Sequence, residues 1–214
     1  MKRFLLMLYL GTISLGINAQ SKDFNSVLQA CRLAQSSMSG GEGSMDELKN
    51  AYETLVHAAW TPLILQEIDV RNEAPIKNHL VFTPKFLQEL IRDRKVYRLA
   101  KQYAEHHVAE MRSGNVKLCT KCVKGGQSVT YAIRQVGQMN VAAVAEVNGL
   151  INLSVVVKDS NGNESQIYKV RSDEFKGAPI RELPTINLPN GISMAYITIS
   201  NRSIENKSVA IIIE

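Results

Sequence analysis

Two cysteines in the segment CTKC are the side chains of this sequence whose spacing is best suited to chemistry. Cys119 and Cys122 are separated by two residues, and a pair of histidines, His106 and His107, precedes them. Two thiolates and two imidazoles would suit tetrahedral Zn²⁺, and Cys119, Cys122 and His107 form the candidate metal site. Adjacent side chains on a helix point about 100° apart, so both histidines do not easily reach one ion. The set stays incomplete unless a more distant histidine contributes a fourth ligand.

The same cysteine pair has two other interpretations. Lysines at positions 117, 121 and 124 would stabilise a thiolate, which favours a redox dithiol. Thioredoxin-type sites, however, place CxxC at the start of a helix within a βαβ pattern, whereas two glycines and a strand pattern follow here. A small local disulfide or an inert thiol pair in an exposed turn needs no such context, and we favour it. We therefore expect no cofactor, with zinc as the alternative.

Trp60 is the only tryptophan of the chain and the candidate binding residue. A lone tryptophan in an exported protein can provide a platform on which a sugar ring stacks. The competing interpretation places the ring at the edge of the core, with its N–H donating to a carbonyl oxygen. We favour core packing, because glycan sites usually present several exposed aromatics and only 6% of this chain is aromatic.

Motifs of the common catalytic sites do not occur in the sequence. The histidines lie in EHHVAE rather than in HExxH, no glycine-rich phosphate loop follows a strand, and no G-x-S-x-G nucleophile elbow is present. A pair of glycosidase carboxylates would not be visible in the sequence, because such partners meet only in the folded chain. We therefore assign no catalytic residues and favour a binding protein over an enzyme.

Residues 1–19 have the form of a signal peptide. Lys2 and Arg3 precede the apolar segment FLLMLYLGTISLGI, and Ala19 is a suitable last residue before cleavage. The apolar segment is shorter than the ~20 residues that span a bilayer core, so a membrane anchor is the less favoured interpretation. Cleavage would leave Gln20 as the new N-terminus. This pattern predicts export to the periplasm or cell surface of a Gram-negative bacterium, with no transmembrane segment after cleavage.

Charge and cysteine content limit the partners. Removal of the two basic residues of the signal peptide lowers the formal net charge from +5 to +3. That charge is small, and the remaining basic residues are scattered, which argues against nucleic acid as a partner. Three cysteines in an exported chain leave at least one unpaired, so disulfides are not the main scaffold.

Helical patterns dominate the mature chain before the cysteine pair. Phe24, Val27, Leu28, Cys31 and Ala34 form an apolar stripe with helical spacing, on which Cys31 is a small buried apolar residue. We predict a helix over residues 20–37 and a helix from a capping box at Ser44 to near residues 58–60. Residues 63–70 and 78–82 are a candidate hairpin, and Pro84 begins a helical segment that extends to about Met111. That segment is either one helix with a charged turn at 92–95 or two helices broken there.

Strand patterns with a period of two dominate residues 127–214. Apolar side chains alternate with polar ones, and turn signals such as Asn161-Gly162 separate the segments, which predicts an antiparallel β-sandwich. The predicted core positions are Ile151, Leu153, Val155, Val157, Ala195, Ile197, Ile199, Val209, Ile211 and Ile213. Ala210 and Ile212 fall on the opposite face of the last strand.

The strand-rich half resembles a known class of module. The tract TYAIRQVGQMNVAAVAEV and the closing pair YITISNRS and SVAIIIE are similar to the bacterial pre-peptidase C-terminal domain and related jelly-roll modules of secreted proteins. The resemblance extends over residues 128–214 at most, and it consists of alternation rather than catalytic residues. It implies a secreted accessory module that binds or spaces.

These observations predict an α+β protein with a helical N-terminal region, a hairpin and a C-terminal β-sandwich. The predicted organisation is a signal peptide at 1–19, a helical region at 20–113, a linker with CxxC at 114–126 and a sandwich at 127–214. The predicted function is a non-catalytic binding or accessory protein of the cell envelope, with a protein or glycan partner. The alternative is a thiol- or metal-dependent site at Cys119 and Cys122.

The signal-peptide assignment has a direct test. When the full chain is expressed in a Gram-negative host, we expect the periplasmic product to begin at Gln20, as read by intact mass and N-terminal sequencing. Replacing Ala19 with arginine should block processing, because the peptidase requires a small residue there. A periplasmic product that retains Lys2 and Arg3 would contradict the assignment.

Overall fold

The computed structural model describes residues 20–38, 44–63, 65, 82, 84–91, 114–158, 162–169, 176–188 and 193–214. The helices are α1 (Lys22–Met38), α2 (Ser44–His57) and α3 (Pro84–Ile91). The strands are β1 (Trp60–Pro62), β2 (Val116–Val123), β3 (Ser128–Gln135), β4 (Gln138–Met139), β5 (Val141–Ala145), β6 (Ile151–Lys158), β7 (Glu164–Lys169), β8 (Ile180–Glu182), β9 (Ile186–Asn187), β10 (Ser193–Asn201) and β11 (Lys207–Ile213). The predicted signal peptide, most of the predicted hairpin and the predicted long helix beyond Ile91 lie outside the described residues.

The first two helices follow their sequence patterns. Ser21 caps α1, because its Oγ accepts a hydrogen bond of 3.0 Å from the Phe24 N–H. The predicted apolar stripe of α1 is buried along its whole length, and so is the stripe of α2. Helix α2 ends at His57, as the approaching Pro62 predicts. Within the described ranges no helix has the length and apolar character needed to cross a bilayer.

Two sheets stack as a β-sandwich, which confirms the predicted α+β fold class. The inner sheet has the strand order β1-β2-β11-β5-β8, and the outer sheet has the order β3-β10-β6-β7. The β6–β7 hairpin is antiparallel, and Gly162 between its strands has a φ of +83°. That left-handed conformation is the one for which glycine is favoured in a hairpin turn.

The inner sheet is buried on both faces. One face packs against the helices, forming a core with side chains of α1, α2 and α3. The other face packs against the outer sheet, forming the sandwich core. Alternation along β11 sends Val209, Ile211 and Ile213 into the sandwich and Ala210 and Ile212 to the opposite face, as predicted, and that opposite face packs against the helices. The layers therefore run helices, inner sheet, outer sheet.

The segment predicted as a linker contains a strand of the inner sheet. Strand β2 pairs in parallel with β1 and antiparallel with β11. The lysines of this segment are typical of a solvent-exposed linker. Val116 and Leu118 nevertheless pack in the core between the inner sheet and the helices. Lys121 lies beside the sandwich core, with its Nζ 5.9 Å from the Tyr131 ring centroid. A long lysine stem tolerates such a place because its charged end reaches the rim.

Because both faces of β11 are buried, truncating a side chain on either face should destabilise the protein to a similar extent. Ile211→Ala and Ile212→Ala should each lower the free energy of unfolding by about 2–5 kcal/mol, because each deletes a fully buried side chain. Urea unfolding followed by circular dichroism measures both changes. Ile204→Ala is the matched control, since Ile204 is 99% exposed and should cost little. A neutral Ile212→Ala would show that the helices do not contribute to the stability of the sheet.

Candidate functional site

The cysteine pair is split between the two faces of β2. Side chains three residues apart on a strand point in opposite directions. Cys119 lies in the sandwich core, whereas Cys122 is half-buried on the face that Val116 and Leu118 share. This geometry opposes a local disulfide, and it opposes one ion held by both thiols. His107 lies outside the described residues, and the described part of the chain contains no cluster of three or more metal-ligating side chains.

All three cysteines are free thiols whose surroundings disfavour the thiolate. Burial raises the pKa of Cys31 to about 12. Burial also raises the pKa of Cys119, and the Leu65 backbone and the Lys121 ammonium offset part of that shift. The pKa of Cys122 is raised by burial and by the nearby Glu146 carboxylate. Redox cysteines depend on a lowered pKa, so these thiols are poorly suited to that chemistry.

Trp60 lies in the core between the helices and the inner sheet. Its ring is 5% exposed, and its indole N–H donates a hydrogen bond of 2.9 Å to the Leu55 carbonyl oxygen. This arrangement is the core packing that we favoured for the residue. A buried ring offers no face on which a sugar could stack.

The outer sheet contains a groove that the sequence did not indicate. The groove is a shallow cavity of about 180 Å³ on the sheet face that is turned away from the sandwich core. Hydroxyl, amide and cationic side chains dominate its lining. The lining residues are Asn152, Leu153, Ser154, Lys169, Thr198, Ser200 and Arg202.

Cross-strand register sets the floor of the groove. Thr198 of β10 lies opposite Thr130 on one side and Ser154 on the other, and Ser154 lies opposite Lys169 of β7. The hydroxyls of Thr130 and Thr198 are 2.9 Å apart, so they form a hydrogen bond across the strands. A similar bond of 2.7 Å joins the hydroxyls of Ser128 and Ser200. The hydroxyl side chains are therefore held in register on a rigid sheet.

An apolar row crosses the same face beside the groove. Ala132, Tyr196, Val156 and Ile167 are successive cross-strand neighbours on the four strands. Ile167 is 56% exposed. Lys158 lies over the Tyr196 ring, with its Nζ 4.9 Å from the ring centroid, which is a cation–π distance. The face thus places a hydrogen-bonding floor next to an apolar strip.

The described side chains give this face a positive potential. Lys169 and Arg202 line the groove, and Arg134 and Lys158 lie farther along the same face. The Oε1 of Glu164 is 3.9 Å from the Lys158 Nζ. Of the described residues that line the groove, none is acidic. The groove therefore favours polar or negatively charged ligands over cations.

Sequence reasoning missed this site because its residues come from strands that are far apart in the chain. The alternation did show that Asn152, Ser154, Thr198 and Ser200 face away from the core. It did not show that β10 lies between β3 and β6, which brings those side chains together. A polar face on an antiparallel sheet is ordinary, so alternation alone does not mark a site.

Comparison with known proteins gives fold likenesses at low similarity. No protein-family model and no curated protein matches the sequence. The Yersinia pseudotuberculosis-derived mitogen is similar at 16% identity, over 46% of this chain and 84% of the mitogen, with a TM-score of 0.31. PliG of Aeromonas hydrophila, a periplasmic inhibitor of g-type lysozyme, is similar at 12% identity, over 48% and 90% of the two chains, with a TM-score of 0.29.

A carbohydrate-binding protein is also among the similar structures. TmCBM61, solved in complex with β-1,4-galactotriose, is 12% identical over 47% of this chain and 88% of its own, with a TM-score of 0.25. Such values are too low to carry an argument about function. The predicted resemblance to pre-peptidase C-terminal domains stays a prediction.

The cysteine geometry predicts slow thiol chemistry. In the folded protein at pH 7, iodoacetamide should label Cys122 slowly and leave Cys31 and Cys119 unlabelled, because burial withholds them and the raised pKa values keep them protonated. Labelling of Cys122 should accelerate only as the pH rises above the ordinary pKa of a thiol, because its own pKa is raised and the thiolate forms late. Peptide mass spectrometry measures each site, and Cys122→Ser controls for it. Rapid labelling of Cys119 or a Cys119–Cys122 disulfide would contradict the prediction.

Proposed function

We propose that this protein is an exported, non-catalytic binding protein of the cell envelope that holds a glycan on its outer sheet. The observation that carries the proposal is the groove lined by Ser154, Thr198, Ser200 and Asn152 beside an apolar row. Sugar rings present hydroxyl groups at their edges and C–H groups on their faces. A hydrogen-bonding floor next to an apolar strip matches both kinds of surface.

Rigidity of the floor supports recognition at this face. The groove residues lie on strands or directly after one, and the hydroxyl pairs Ser128–Ser200 and Thr130–Thr198 are bonded across strands. Sites on strands position their side chains more closely than sites on mobile loops. Little conformational entropy is then lost when a ligand binds.

Binding is favoured over cleavage by the chemistry of the lining. Glycoside hydrolysis uses two carboxyl groups on either side of the scissile bond. The described residues of the groove supply hydroxyls, an amide and two cations, and no carboxylate. The opposite facing of Cys119 and Cys122 also weighs against the thiol- or metal-dependent alternative. The export part of the proposal rests on the signal-peptide pattern.

Blocking the groove tests the proposal. Ser154→Trp should fill the floor with a large side chain and weaken polysaccharide binding by about tenfold or more, which corresponds to about 1.4 kcal/mol. Affinity gel electrophoresis against β-1,4-galactan, dextran, polygalacturonate and dextran sulfate measures retention, and isothermal titration calorimetry gives the affinity for each polysaccharide that retains the protein.

The matched control is Ser36→Trp, which places the same side chain at an exposed position of α1 on the helical layer. It should bind like the native protein. Thermal unfolding verifies that both variants are folded. Failure of the native protein to bind any of the polysaccharides, or full binding by Ser154→Trp, would refute the proposed function.

A further inference from the structure

We infer that the glycan held by the groove is anionic, with carboxylate or sulfate groups spaced along its chain. This inference rests on the proposed function, and it concerns the charge of the ligand at the same site. The observations behind it are the cations of the groove, the neutral floor between them and the potential of the surrounding face.

Two cations line the groove from different strands. Lys169 ends β7 and Arg202 follows β10, and β6 lies between these strands in the outer sheet. Both side chains are exposed. Within the described part of the chain neither of them forms an ion pair. A lysine and an arginine that line one groove without a described ion pair are suited to a ligand that brings its own negative charges.

The backbone under Arg202 is firmly held. Its N–H donates a hydrogen bond of 2.6 Å to the Leu150 carbonyl oxygen. The next residue, Ser203, is also tied down, because its N–H donates to Asn201 Oδ1 at 2.9 Å and its Oγ accepts from the Leu150 N–H at 2.8 Å. The guanidinium therefore starts from a fixed point at the rim of the groove. Its planar donor set matches the paired oxygens of carboxylate and sulfate groups.

The floor between the cations is neutral. Ser154 and Thr198 separate Lys169 from the β10 end of the groove, where Ser200 precedes Arg202. A site for a single small anion would have cations that converge on one point. Cations separated by hydroxyl groups instead match a polymer in which charged groups alternate with sugar hydroxyls.

The wider face adds to the same preference. Arg134 and Lys158 extend the positive potential along the sheet, and Glu164 partly offsets Lys158. Such a field raises the association rate of anionic ligands and weakens with salt. A single-stranded nucleic acid fits less well, because its bases need successive aromatic platforms and Tyr196 is the aromatic of the apolar row.

Ligand charge is tested by comparing polysaccharides and variants by calorimetry. Polygalacturonate supplies carboxylates, dextran sulfate supplies sulfates, and dextran and β-1,4-galactan are neutral probes. We expect the native protein to bind at least one anionic polysaccharide about tenfold more tightly than either neutral one, and to lose that preference between 50 and 500 mM NaCl, as charge–charge attraction is screened.

A charge-matched pair of double variants locates the effect. Lys169→Gln with Arg202→Gln should weaken anionic binding about tenfold and weaken neutral binding much less. Lys22→Gln with Lys49→Gln removes the same net charge from the helical layer and should stay within about twofold of the native protein. Thermal unfolding checks that each double variant is folded.

The outcomes separate this inference from the proposed function. Equal binding of neutral and anionic polysaccharides, or equal losses in the two double variants, overturns the anionic preference and leaves a glycan-binding groove. Absence of binding to all four polysaccharides overturns both. Tighter binding of poly-glutamate or of single-stranded oligothymidylate than of any polysaccharide overturns the glycan and makes the groove a site for another polyanion. The comparison of neutral with anionic polysaccharides and the comparison with other polyanions need only the native protein.

Discussion

Burial of the inner sheet on both of its faces is the constraint on which the rest of the structure depends. β5 and β11 have no side chain left for solvent, since every residue of each strand is buried. An antiparallel sheet with one open face would alternate between apolar and polar positions. Here the alternate positions are Ala142, Val144, Ala210 and Ile212, and they need the helices as a cover. The inner sheet therefore contributes to two cores, one with the helices and one with the outer sheet.

That arrangement decides which surface is left for a ligand. The helices occupy one side of the inner sheet and the outer sheet occupies the other. Within the described residues no third layer covers the outer sheet, and the groove lies on its far face. β6 and β10 alternate strictly between buried and half-buried residues, which directs Ser154 and Thr198 outward. The groove is a direct consequence of the layer order.

The same layer order accounts for the fate of the residues that first suggested chemistry. Cys119 and Cys122 belong to a strand with a core on either side, and alternation sends them to different faces. Trp60 is the first residue of β1, that strand's parallel neighbour, and packs in the core between the helices and the inner sheet. The cysteine pair and Trp60 thus belong to the packed layers, whereas serine, threonine, asparagine, lysine and arginine side chains line the candidate site.

The sequence by itself determined the periodic features of this protein. Helical spacing identified the buried stripe of α1 from Phe24 to Ala34, and alternation identified the buried positions of β6, β10 and β11, because these patterns reflect local backbone geometry. The same alternation placed Ala210 and Ile212 on the second face of β11, but it did not show that the helices cover that face. The strand in residues 116–123 was missed, since lysines on a strand and lysines on a linker look alike without the partner strands.

Only the tertiary structure decided which strands are neighbours. β10 lies between β3 and β6, and β11 lies between β2 and β5, so residues more than forty positions apart in the chain share a surface. The groove depends on those long-range pairings, and no local pattern encodes them. For the same reason the separation of the cysteines onto two faces became visible only when β2 was seen to have a packed layer on each side.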